Sequence, residues 1–215
     1  MKRPKTSRAW WLDRHVHDPF VKLAQKEGYR SRAAYKLLGL DERDHLLKPG
    51  MTVVDLGAAP GGWCQVVAKK VGAKGRVIGI DLLEIEPVAG AEFRVMDFHD
   101  AEAPAVLREW LGGAADGVMS DMAANATGHR KTDHLRIVGL ADLAIDFACD
   151  VLAPGGFFLA KVFQGGAEGE LLVRLKRDFA TVRHLKPKAS RADSAEKYVL
   201  ATGFRGRSAK DAEAE

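Results

Sequence analysis

Val53-Val54-Asp55-Leu56-Gly57-Ala58-Ala59-Pro60-Gly61-Gly62-Trp63 is the stretch on which the fold turns. An apolar run ends in an acid, then glycines and alanines open a segment of helical composition. In an open α/β sheet, ligands lie outside the carboxyl ends of the strands, so such a turn lets the backbone approach a small molecule closely. Working outward, short apolar runs recur at 76–80, 92–96, 117–120 and 156–163, with 51–56 holding the first. Helical segments such as 63–71 and 135–152 separate them, which predicts parallel pairing through right-handed crossovers. Two further strands, 181–185 and 198–202, are separated by a polar stretch and predict an antiparallel edge. The expected fold is α/β and Rossmann-like: a seven-stranded, mostly parallel sheet with an antiparallel edge strand and helices on both faces.

Upstream, Ser31 can cap a helix through Arg32-Ala-Ala-Tyr-Lys-Leu-Leu that ends by Lys48-Pro49-Gly50. Before it, 1–27 is basic with interleaved aromatics, including Trp10 and Trp11, and shows no clean period. It reads as a partly ordered arm ahead of a domain over 28–204, with a small, charged tail at 205–215. A length of 215 residues suits one domain, and 47% hydrophobic with 29% charged residues excludes collagen-like and wholly disordered chains. The net charge of +4 is unevenly placed. Residues 1–36 carry +7, 37–173 carry −8 and 174–197 carry +5, so basic blocks flank an acidic centre and predict attraction to a polyanion. Cys64 and Cys149 form neither a CxxC pair nor part of a metal-ligand cluster, so reduced thiols and no metal are expected. No apolar run reaches the roughly 18 residues of a membrane span. A cytoplasmic protein that meets no membrane is expected.

The strand-terminal acids indicate a ligand. Asp55 sits two residues before Gly57, where a carboxylate disfavours phosphate and suits an ammonium or sulfonium group. Asp81 ends Val77-Ile-Gly-Ile-Asp, where a carboxylate can accept both hydroxyls of a ribose. Asp97-Phe98 ends the third strand, placed to meet an adenine amino group and ring. Together with Gly57 and Gly61 these describe a pocket for a cationic adenosyl ligand, and S-adenosylmethionine fits. A dinucleotide-dependent oxidoreductase would need GxGxxG, whereas the spacing here is G-A-A-P-G-G. Chemistry would fall to Asp121, in Ser120-Asp121-Met122-Ala123 after the fourth strand, and to Lys161, a lone cation in the apolar strand Phe157-Phe-Leu-Ala-Lys161-Val-Phe. Lysine is rarely buried without a partner. Lys36 and Glu196, each taken alone, read as solvated side chains.

DLGAAPGGW, SDMA, Lys161-Val-Phe-Gln-Gly, and Ser190-Arg191 leading to Glu196-Lys197-Tyr198 together resemble the FtsJ-type ribosomal RNA large-subunit methyltransferase E family, over about 28–203. The resemblance implies a class I S-adenosylmethionine-dependent methyltransferase fold and a heat-shock-associated enzyme. Such an enzyme methylates the ribose 2'-hydroxyl of one uridine in the A-loop of 23S rRNA, within the large ribosomal subunit. It implies a catalytic lysine-aspartate-lysine-glutamate set at Lys36, Asp121, Lys161 and Glu196, and cofactor contacts at Gly61, Trp63, Asp81, Asp97 and Asp121. Ala124 stands where the family often has proline, Cys64 where it often has serine, and the insert 128–134 is unusually basic. A monomer is expected. The same chemistry on transfer RNA or a messenger cap, and a non-catalytic RNA-binding assembly factor, are the competing readings.

Overall fold

The computed structural model describes residues 16–123, 130–163, 169–191, 194 and 196–206, with 130–134 and 163 described by backbone alone. Trp10, Trp11, residues 164–165 and the end of the tail lie outside them, as does part of the basic insert. The strands are β1 (Thr52–Leu56), β2 (Arg76–Asp81), β3 (Glu92–Val95), β4 (Ala115–Ser120), β5 (Leu152–Phe163), β6 (Phe179–Leu185) and β7 (Glu196–Phe204). They form one seven-stranded sheet in the order β3-β2-β1-β4-β5-β7-β6. The first five pair in parallel, whereas β7 runs antiparallel to both β5 and β6. The reversed strand thus slots between β5 and the rim strand β6, which runs with the parallel set.

Among the described residues the helices are α1 (Pro19–Glu27), α2 (Ala34–Asp44), α3 (Gly62–Val71), α4 (Ala103–Leu111), α5 (Arg130–Val151) and α6 (Gly169–Asp178). Alternation along the strands separates two cores. Val54, Leu56, Val118, Phe158 and Val199 pack on the face covered by α4, α5 and α6. Val53, Met119, Leu159, Tyr198 and Leu200 pack on the face covered by α2 and α3. Side chains alternate between faces every residue, so Asp55 and Lys161 fall on the α2/α3 side.

The N-terminal segment departs from expectation in one place. Residues 19–27 are helical: Asp18 accepts the Phe20 N–H at 3.0 Å, Pro19 opens the first turn, and Gly28 closes the helix at φ 76°. Ser31 does not cap α2 directly. Its hydroxyl accepts the Ala33 N–H at 3.3 Å inside a preceding turn, and the helix begins at Ala34.

Register decides where the site lies. Leu56 pairs with Ile80 and with Ser120, Ser120 with Ala160, and Ala160 with Val199. One residue further along, Asp81, Gly57, Asp121, Lys161 and Tyr198 stand in a row at the carboxyl ends of the parallel strands. Lys161 and Tyr198 are direct cross-strand partners.

Candidate active site

Lys161 is only 8% exposed, near the end of an otherwise apolar strand. A buried ammonium needs a partner, and the row supplies one. Its Nζ donates to the Asp121 carboxylate at 2.9 Å and to the Asp121 backbone carbonyl at 2.6 Å. Asp121 also accepts the Tyr198 hydroxyl proton at 2.7 Å, and Lys36 stands 3.9 Å from its other oxygen. Lys36 reaches across from α2, donating to the Tyr198 hydroxyl at 3.0 Å and pairing with Glu196 at 2.7 Å. The Tyr198 hydroxyl also lies 3.3 Å from Glu196, and Ser190 donates a third contact to it, at 3.2 Å. Lys36, Asp121, Lys161 and Glu196 are therefore brought into one network, with the Tyr198 hydroxyl bridging its members.

Burial alone would push the Asp121 carboxyl up. The ammonium groups of Lys161 and Lys36, with hydrogen bonds from Lys161 and Tyr198, outweigh it and hold Asp121 below the ordinary carboxylate value. Tyr198 is pushed well above its usual value by burial and by the charges of Asp121 and Glu196. It therefore keeps its proton, and the shorter contact, to Asp121, receives it.

Beside this network lies a cavity of about 790 Å³ lined by Gly57, Asp81, Leu82, Asp97, Met122 and Leu143 among others. Gly57 has φ +82°, and a Cβ there would stand 2.8 Å from the Met122 side chain, so only glycine lets the loop and the Asp121–Met122 segment approach. Asp81 organises the loops around itself: one oxygen accepts the Ala59 N–H at 2.9 Å, the other the Leu83 N–H at 3.0 Å. Asp97 does the same for His99 at 2.9 Å. Phe98 reaches the cavity wall, but its ring is buried edge-on against Phe147, with centroids 5.7 Å apart.

Two expected cofactor residues have their side chains turned elsewhere. Trp63 is 3% exposed, donates its indole N–H to the Ala33 carbonyl at 2.8 Å and packs on Tyr198. Asp55 is 1% exposed, one row behind the cavity, and accepts the Cys64 thiol at 3.2 Å. Burial, with the charges of Asp121 and Asp81, pushes its carboxyl up to about 7 against the lowering effect of the Cys64 hydrogen bond. Among the described residues, no cluster of His, Cys, Asp and Glu has the makings of a metal site. No described helix is long and apolar enough to cross a membrane.

The sequence that builds this site matches a profile for FtsJ-like methyltransferases over residues 29–204. The chain belongs to that family. As an FtsJ-like methyltransferase it is an enzyme that takes a methyl donor. It is 65% identical over 205 residues to the ribosomal RNA large subunit methyltransferase E of a Bradyrhizobium species, covering 94% of this chain and 89% of that one. The protein of the same name from Rhodopseudomonas palustris is 63% identical over 215 residues, covering 99% and 91%. Among solved structures, a ribosomal RNA methyltransferase from Plasmodium falciparum matches with a TM-score of 0.73 at 31% identity, covering 83% of this chain and all of that one.

Sequence reasoning did not single out two further members of this FtsJ-like site. In the sequence Tyr198 stands out only as the last residue of Glu196-Lys197-Tyr198 and the first of the strand 198–202. Arg30 lies in the segment without a period, yet its guanidinium donates to the carbonyls of Pro60 at 3.1 Å, Glu86 at 2.5 Å and Pro87 at 2.7 Å. It straps the glycine turn to the loop after β2.

Proposed function

We propose that this methyltransferase moves a methyl group from S-adenosylmethionine to the ribose 2'-hydroxyl of a uridine in the A-loop of 23S rRNA, acting on the large ribosomal subunit. The observation that carries the chemistry is Lys161 held by Asp121, whose chain neighbour Met122 lines the cavity, with Lys36 and Glu196 in the same network. The target RNA is taken from the names of the relatives.

The cavity suits the donor. Asp81 keeps lone pairs for ribose hydroxyls after serving two amides, and Asp97 lies in the same wall. Gly57 and Gly61 keep the turn free of side chains. When bound, S-adenosylmethionine supplies an electrophilic methyl group on a sulfonium.

The residues then divide the work. Lys161 spends two N–H groups on Asp121, so a neutral amine there keeps its lone pair for the substrate hydroxyl. We assign it the role of orienting and deprotonating the 2'-hydroxyl. Asp121 positions Lys161, and Lys36 and Glu196 hold the ribose and the lysine network. Holding the hydroxyl in line with the methyl group is worth about 7–11 kcal/mol in well-aligned systems, which leaves proton removal to the lysine. Residues 28–204 are assigned to this catalytic domain and the basic segment 1–27 to phosphate contacts, in a cytoplasmic monomer.

Labelled S-adenosylmethionine offered with large subunits, free 23S rRNA and transfer RNA tests the assignment, followed by mapping of the methylated nucleotide. Methylation of a single A-loop uridine in subunits is expected. Preferential labelling of transfer RNA would replace the target, and no transfer to any RNA would remove the function.

A further inference from the structure

Arg30 has no part in the transfer just described, yet main-chain carbonyls from two loops converge on its side chain. The guanidinium donates to Pro60 at 3.1 Å in the glycine turn, and to Glu86 at 2.5 Å and Pro87 at 2.7 Å in the loop between β2 and β3. Nη1 serves one carbonyl from each loop, so the planar fork spans the gap between them. The backbone of Arg30 is itself rooted on α3. Its N–H donates to the Gln65 side chain at 2.9 Å, and Gln65 donates back to the Gly28 carbonyl at 3.0 Å. Gly61 makes room for the crossing: it has φ +98°, and a Cβ there would stand 3.0 Å from Arg30 Nη1 and 3.3 Å from methyl groups of Ile85 and Val88.

Both loops wall the cavity. Gly57 contributes from the turn, and Asp81 and Leu82 from the start of the other loop. At their base the two are joined by the Ala59 N–H on the Asp81 carboxylate and by the Gly57 and Ala58 amides on the Ile80 carbonyl. Residues 82–88 lie outside the helices and strands, and Leu82 and Leu83 are exposed. Further out, it is Arg30 that bonds 86 and 87 to the turn.

We propose that Arg30 is a positioning residue for the methyl donor: it holds the β2–β3 loop on the glycine turn, so that the donor's pocket is formed before the donor arrives. The inference rests on the S-adenosylmethionine assignment above. Without the strap the loop samples positions that take Leu82 out of the cavity wall, and the donor binds only the fraction of molecules with the loop in place. Apparent affinity falls by that fraction, so a loop in place for a tenth to a hundredth of the time means a loss of about ten- to a hundredfold. The rate at saturating donor is much less affected, because bound donor restores the loop and Lys161 is held by bonds of its own.

Calorimetric titration of full-length wild type, Arg30→Ala and Arg30→Lys with S-adenosylmethionine and with 5'-methylthioadenosine reads this out. The second ligand is an uncharged nucleoside without the donor's carboxylate. Both variants should lose about ten- to a hundredfold for both ligands, since lysine keeps the charge but offers its N–H groups from a single atom. A loss confined to S-adenosylmethionine, or its recovery in Arg30→Lys, would mean that the charge meets the donor's carboxylate directly, and overturns the strap. Methyl NMR of Ile85, which packs against Gly61, supplies a readout that general destabilisation would not move. The methyl should be rigid in wild type with or without donor, and in Arg30→Ala mobile alone but rigid with saturating donor. Wild-type affinities in both variants, or an Ile85 methyl equally rigid in donor-free Arg30→Ala, overturn the inference and leave the cofactor assignment standing. Failure of wild type to bind either ligand removes the two together. Should Arg30→Ala not fold, Arg30→Lys carries both measurements.

Discussion

At the scale of single residues, Lys161 and Asp81 separate chemistry from binding. Lys161 is bonded to Asp121, next to the cavity residue Met122, whereas Asp81 holds the amides of Ala59 and Leu83. Lys161→Ala should lower the single-turnover rate by about a hundred- to ten-thousandfold, the usual worth of a positioned proton acceptor. Donor affinity by calorimetry should stay within a few-fold, and a rate close to wild type would end the assignment of the base. Asp81→Ala should do the reverse. It strips the Ala59 and Leu83 amides of a charged acceptor and exposes the ribose site, at about 1.5–3 kcal/mol for such a bond. Donor affinity should fall about ten- to a hundredfold, with the rate at saturating donor much less affected.

At the scale of elements, α1 and α2 explain what was and was not legible. The parallel strands announced themselves through apolar runs, and the acids that end them through position alone, because a strand buried on both faces leaves few other polar residues. Lys161 was visible for the same reason. Lys36 and Glu196 were not visible by spacing: 36 meets 198 through a hydroxyl, and only pairing of β5 with β7 brings Tyr198 beside Lys161. α1 carried a readable start and stop in Asp18-Pro19 and Gly28, masked by its many charges. Asp18 does more than cap it, pairing with Arg32 at 2.9 Å and Arg191 at 3.5 Å, while Arg32 also bonds the Ala189 carbonyl. The helix is thereby tied to the segment that carries Ser190 and Glu196. Asp18→Ala should cost about 2 kcal/mol or more in urea unfolding, and Asp18→Asn, which still caps, should recover the cap's share of about 0.5–2 kcal/mol.

At the scale of the whole molecule, that tie sets Arg32 of the first basic block and Arg191 of the second on the one carboxylate of Asp18. Under the proposed function, exposed basic side chains near this junction would grip phosphates around the ribose, a salt-dependent contribution. Lys188 is exposed in this region. Lys188→Glu should weaken RNA binding at low salt and reduce the slope of affinity against salt by about one, with donor affinity untouched. Global stability should carry the mark of the same acid cluster. Asp55, raised to about 7 by burial first and then by Asp121 and Asp81, favours the folded state fully only below its unfolded value near 3.8. Its contribution is lost as pH rises through 7, because the folded chain holds a proton that the unfolded chain has released. Asp121, Asp44 and Glu92 are lowered and act oppositely, adding stability above the unfolded carboxylate range and losing it as pH falls. Asp55→Asn removes one side of this opposition. In denaturant titrations without ligand it should be more stable than wild type at pH 8, by a few kcal/mol at about 1.4 kcal/mol per unit of displacement, and the gain should vanish toward pH 4. A constant difference across that range would mean that Asp55 stays ionised when buried, and the charge of the pocket would have to be reassigned.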